Sequence, residues 1–127
     1  GIFYFLVEYL IKSFFLTGYS FPRLDTYSVI SAILIAPVAE EIIYRGWIMG
    51  YLIDKRTNTF VTIFISSLIF GLIHILNGGF FNTTLLFKSF IFGCVLGTVY
   101  LKTKNLLHPI LIHFTFNLLT VLLGFFC

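Results

Sequence analysis

From Thr59 to Asn77 the chain runs nineteen residues without an Asp, Glu, Lys or Arg. At about 1.5 Å rise per residue, a helix of that length approaches the ~30 Å hydrocarbon core of a bilayer. Breaks at Gly, Pro, Asn and charge clusters separate four further apolar segments, 1–17, 27–53, 84–101 and 106–126. The apolar excess sits in several runs long enough to cross that core, which points to a polytopic membrane protein. Lipid-exposed backbone must satisfy its hydrogen bonds within the segment, which leaves helix as the only choice for an open chain. The expectation is therefore an all-α, polytopic transmembrane bundle of about five helices, with residues 1–127 forming one membrane-embedded domain.

Composition agrees. Charged residues make up 10% of the chain against 59% hydrophobic ones, with a mean hydropathy of +1.04, far from the quarter-charged average of soluble domains. The net charge of +3 is too small, and too scattered among apolar runs, for a nucleic-acid binder; it suits basic loops beside an anionic bilayer. If all five segments cross, the turns at residues 54–58 and 102–105 share one side and carry Lys55, Arg56, Lys102 and Lys104. The positive-inside rule puts that side in the cytoplasm of a multi-pass cell-membrane protein. The first segment carries Glu8 and Lys12 at i, i+4, and either crosses the bilayer or lies in its interface.

Ionisable groups inside membrane helices are costly unless paired or turned to a polar cavity, and each marks a functional site by default. Here they fall in three segments, as Glu40, Glu41 and Arg45 in the second, His74 in the third, and His113 with Asn117 in the fifth. Glu41 and Arg45, four apart on one helical face, can pair with each other. Glu40 is turned about 100° away and needs another partner or a proton. His113 and Asn117 are also four apart, so their polar tips point the same way from an apolar helix. The bland account of that pair is interhelical hydrogen bonding, worth about 0.6 kcal/mol per bond. Counted from the cytoplasmic helix ends, Glu40 lies ~20 Å, His74 ~22 Å and His113 ~11 Å deep, within one broad layer. His108 precedes Pro109 at a helix start and reads as an interfacial residue.

A carboxylate and an imidazole converging on one water can activate it, and an imidazole with an amide can hold an oxyanion; together they describe peptide hydrolysis. There is no His-Glu-x-x-His motif and no serine in a nucleophile motif. The same carboxylates with His74 and His113 could instead bind a divalent metal such as zinc, with one position open for water. Both versions stand at this level.

Three ordered motifs, Glu40-Glu41-x-x-x-Arg45, Phe70-x-x-x-His74 and His113-x-x-x-Asn117, each on its own helix, resemble the CPBP (Abi) family of intramembrane proteases, which contains the type II CAAX prenyl proteases and bacteriocin-processing enzymes. Phe92-Gly93, Gly97, Tyr100 and Asn105-Leu106 add to the likeness, which runs from about Ala36 to Asn117. The resemblance implies further N-terminal helices ahead of this stretch, and a chain that lacks them. It also implies an intramembrane endopeptidase acting on a membrane protein or peptide, with CAAX-type or bacteriocin-type processing as its range. By motif position Glu40 activates water with help from His74, His113 and Asn117 hold the oxyanion, and Glu41 and Arg45 orient and charge-tune them. A metal-free glutamate mechanism is favoured; a zinc ion, if present, would sit on Glu40, His74 and His113. Two other readings use the same residues. One is a non-catalytic membrane protein such as a bacteriocin self-immunity factor, and the other a proton-coupled transporter fragment with Glu40 and His74 as relay.

Overall fold

The computed structural model describes residues 26–78 and 83–125, so the first apolar segment lies outside the described residues. The other four segments are helices, and no strand occurs among the described residues. We label them α1 (residues 26–54), α2 (Thr59–Gly78), α3 (Thr83–Thr103) and α4 (Leu107–Phe125).

α1 is helical throughout but not uniformly α. Two π-helical stretches, Ser31–Ile35 and Ile42–Met49, interrupt it. The first precedes Pro37, with the Ala36 N–H bonded to Ser31 O five residues back. Proline has no N–H to give and its ring crowds the carbonyl four residues earlier, so a widened turn ahead of it relieves both problems. The second stretch starts directly after Glu41 and keeps Tyr44, Arg45 and Met49 on the buried side.

The two basic turns use one design. α1 ends with Arg56 at φ 55°, where Arg56 N–H bonds Ile53 O and Thr57 N–H bonds Leu52 O, a Schellman closure that satisfies the last carbonyls. Asn58 Oδ1 then accepts the Phe60 N–H at 2.8 Å and caps α2. After α3, Lys104 takes φ 54° and Asn105 Oδ1 accepts the Leu107 N–H at 2.9 Å.

α2 and α3 form the most intimate pair. A Cβ on Gly71 would stand 3.1 Å from Leu86 O, and one on Gly93 would stand 3.1 Å from Ser67 Cα, so a side chain at either place would press the helices apart by a few tenths of an ångström. The first half of α1 packs on α4, and its second half on α2 and α3. Thr62, Ser66 and Ser67 of α2 are buried in the bundle, where the Ser66 hydroxyl donates to Tyr44 O at 3.2 Å. The outer faces are apolar: Trp47, Phe60, Leu76 and Phe87 are all exposed. α2 and α3 are each long and apolar enough to cross a membrane, and only 28% and 22% of their spans are buried within the chain. Burial that low on helices that apolar fits a lipid-facing surface, so this is a membrane protein.

Candidate active site

The polar residues singled out in the sequence come from three helices, and the bundle brings most of them to one place. Arg45 is wholly buried. Its Nη1 donates to Glu41 Oε1 at 2.8 Å and its Nη2 donates to the Gly93 carbonyl of α3 at 2.9 Å. Glu41 is also wholly buried, and the same Oε1 lies 2.9 Å from His113 Nδ1 on α4. A carboxylate held by a guanidinium offers acceptors only, so Nδ1 carries the proton of this bond. Glu41 Oε1 thus joins the cation of its own helix to an imidazole of another, while its Oε2 is buried without a hydrogen-bond partner.

Glu40 differs from its neighbour in exposure and in the groups around its free oxygen. Its side chain is 28% exposed, yet Oε2 is buried and meets no hydrogen-bond partner. That oxygen stands 3.9 Å from His74 Nε2 and 3.8 Å from His113 Nε2. Both gaps are too long for a direct bond and suit a bridging water or reacting group.

The tautomer of His74 follows from its other contact. Its Nδ1 lies 2.8 Å from Phe70 O, one turn back, and a carbonyl can only accept. The proton of that bond therefore sits on Nδ1, and Nε2 is turned toward Glu40. Aromatic rings fix both imidazoles from the sides. Phe70, 1% exposed, has its centroid 4.4 Å from that of His74 and 6.0 Å from that of His113. Phe92 meets His113 edge to face at 5.2 Å and stacks on Phe116 at 4.4 Å. Tyr44 closes on Phe70 at 4.9 Å, and the Arg45 guanidinium lies 5.1 Å from the Phe70 centroid.

Asn117 makes its hydrogen bond to α1. Its Nδ2 donates to Ala32 O at 2.9 Å, tying α4 to the first π-helical stretch of α1. His108 is exposed at the start of α4. Sequence reasoning did not reach the Gly93 carbonyl, the Phe92 edge or the Ala32 acceptor. Pro37 is a signal for the widened turn that contains Ala32, whereas a backbone carbonyl on another helix leaves no mark in the sequence.

The donor set Glu40, His74 and His113 has the chemistry of a zinc site but not its dimensions here. Neighbouring ligand atoms of a tetrahedral zinc with bonds of about 2.0–2.1 Å stand about 3.3–3.4 Å apart, closer than the separations found. No group of three His, Cys, Asp or Glu among the described residues is set to hold a metal ion.

Long apolar helices around a cluster of two glutamates and two histidines point to a membrane protein with a polar interior site, and comparison with known proteins supplies the family. Residues 22–119 match the family described as type II CAAX prenyl endopeptidase Rce1-like. The chain belongs to this family. It is also similar to a Bacillus subtilis (strain 168) protein named "Putative membrane peptidase YdiL", with 34% identity over 95 residues. That alignment covers 75% of this chain but 36% of the relative, so the chain spans little more than a third of the curated protein it matches. No solved structure matches it.

Proposed function

We propose that this chain carries the catalytic centre of a multi-pass endopeptidase of the cell membrane, which hydrolyses a peptide bond in a membrane-associated protein or peptide. The single observation that carries the reading is the orphaned Glu40 Oε2 between two imidazole nitrogens.

In the proposed reaction a water occupies that gap, donating one hydrogen bond to Glu40 Oε2 and one to His74 Nε2. As its oxygen bonds to the scissile carbonyl carbon, Glu40 takes the proton. His113, with its Nδ1 proton on Glu41 and a second proton on Nε2, donates to the developing oxyanion. Asn117 shares this task with the second proton of its amide, the first being given to Ala32 O. Glu40 then returns its proton to the leaving nitrogen as the C–N bond breaks. Glu41, itself held by Arg45, keeps His113 in register through its Nδ1. Prenylated CAAX peptides are the proposed substrates on family grounds, with bacteriocin-type precursors as the other class. A zinc ion on Glu40, His74 and His113 is the second version of the same site. It rests on the donor chemistry alone.

The test uses the full protein in lipid vesicles with two internally quenched peptides, one carrying a farnesylated CAAX end and the other the same sequence without lipid. Cleavage of either by the wild type, abolished in Glu40→Gln, is the expected result. Cleavage by Glu40→Gln at the wild-type rate removes the base. Proton-coupled flux without cleavage favours a transporter instead.

A further inference from the structure

We infer that Gly93 is a positioning residue of this site, acting through its carbonyl oxygen on Arg45; the inference rests on the proposed hydrolytic role of His113. Two separate observations carry it. First, Gly93 O accepts the Arg45 Nη2 hydrogen bond at 2.9 Å, the contact that ties the wholly buried guanidinium to a helix other than its own. Second, Gly93 is buried against α2 so closely that a Cβ would stand 3.1 Å from both Ser67 Cα and Ser67 Cβ. The carbonyl reaches Arg45 because α3 sits that near.

The consequence runs through four groups on three helices. Gly93 O on α3 fixes Nη2, and the planar guanidinium then directs Nη1 to Glu41 Oε1 at 2.8 Å. Glu41 Oε1 in turn holds His113 Nδ1 at 2.9 Å, which aims Nε2 at the gap beside Glu40. Arg45 Nε has no partner of its own, so the guanidinium is anchored through its two terminal nitrogens. Displacing Gly93 O frees one of the two. The other three members of the chain belong to the motifs noted above, while Gly93 contributes only backbone and an absent side chain.

An alanine at 93 must push α3 from the α2 backbone, since the atoms it meets include Ser67 Cα and not only the end of a flexible side chain. The same crowding occurs at Gly71, where a Cβ would meet Leu86 O at 3.1 Å, whereas the Arg45 guanidinium bonds the Gly93 carbonyl. Gly71→Ala is thus a control for crowding between the same two helices. Arg45→Lys tests the bond from its other end, since one ammonium cannot span Glu41 and Gly93 O as a fork does.

The experiment records the low-field Nδ1 proton of His113 by nitrogen-15 histidine NMR of the full protein in lipid, alongside kcat and KM on the peptides above. Gly93→Ala and Arg45→Lys are expected to broaden or shift that resonance and to lower kcat about ten-fold with KM within about two-fold. Gly71→Ala is expected to keep the resonance. A folded Gly93→Ala with an unchanged resonance overturns the inference, as does Gly71→Ala losing it equally. If Gly93→Ala does not fold, Arg45→Lys decides: an unchanged resonance there overturns the inference too. Because the resonance is read without turnover, a protein in which Glu40→Gln proves harmless would sink the protease reading and leave the Gly93 result standing.

Discussion

His113 Nδ1 lies 2.9 Å from Glu41 Oε1 although the two residues stand 72 positions apart and on different helices. This bond separates the work of two adjacent glutamates. Glu41 is wholly enclosed, with Oε1 committed to Arg45 and His113 and Oε2 without a partner, while the free Oε2 of Glu40 stands beside two imidazole nitrogens. The i, i+1 step of a helix turns the two about 100° apart, which lets one residue face inward to structure and the next face the gap.

Removing one partner of the buried pair leaves the other charge unpaired. Arg45→Met is expected to cost about 3–5 kcal/mol of stability, and Glu41→Gln a comparable amount. The double variant is expected to cost clearly less than the sum, as urea or thermal unfolding in mild detergent will read. Additive losses would mean that the two groups do not depend on each other.

Phe70 touches Tyr44, His74, His113 and the Arg45 guanidinium at once. Phe70→Ala is expected to lose about 3–5 kcal/mol, and Phe70→Leu substantially less, since leucine refills most of the volume. Activity is expected to fall in both, because each imidazole loses the ring beside it. A Phe70→Leu protein with wild-type stability and turnover would reduce Phe70 to a filler.

Much of the architecture is legible in the sequence because the bilayer penalises charge so steeply. The segments 27–53, 59–77, 84–101 and 106–126 lie within two residues of the described helices, which span 26–54, Thr59–Gly78, Thr83–Thr103 and Leu107–Phe125. The Glu41–Arg45 pair follows from helical spacing alone. What spacing does not convey is depth. Counting from helix ends puts His113 about 9 Å nearer the surface than Glu40, yet their side chains stand 3.8 Å apart. The reason is the offset of the turns: Leu106 packs beside Gly46, eight residues short of the end of α1 at Asp54, or about 12 Å at 1.5 Å per residue. The π-helical stretch of α1 after Glu41 has no proline to announce it.

A site that uses a carboxylate base and no metal keeps its activity under chelation. Turnover of the quenched peptides is expected to change less than two-fold, roughly, after dialysis against a strong zinc chelator, given separations wider than a tetrahedral zinc site allows. Loss of turnover that added zinc restores would establish the metal version on Glu40, His74 and His113.

The placement of Lys55, Arg56, Lys102 and Lys104 predicts a common side for the two basic turns. Lys55→Cys and Lys102→Cys, each in a Cys94→Ala, Cys127→Ala background, are expected to react with a membrane-impermeant maleimide only from the cytoplasmic side. Labelling of the two from opposite sides would contradict an even number of crossings between them.

The central claim is that Glu40, and not Glu41, is the base. Its most direct test compares kcat of Glu40→Gln and Glu41→Gln on one cleavable peptide, with folding of each variant checked by circular dichroism. The account predicts a loss of about 10³-fold or more for Glu40→Gln, and about 10- to 100-fold for Glu41→Gln, which disorients His113 but leaves the base in place. Glu40→Gln turning over as fast as the wild type, or faster than a folded Glu41→Gln, would contradict it.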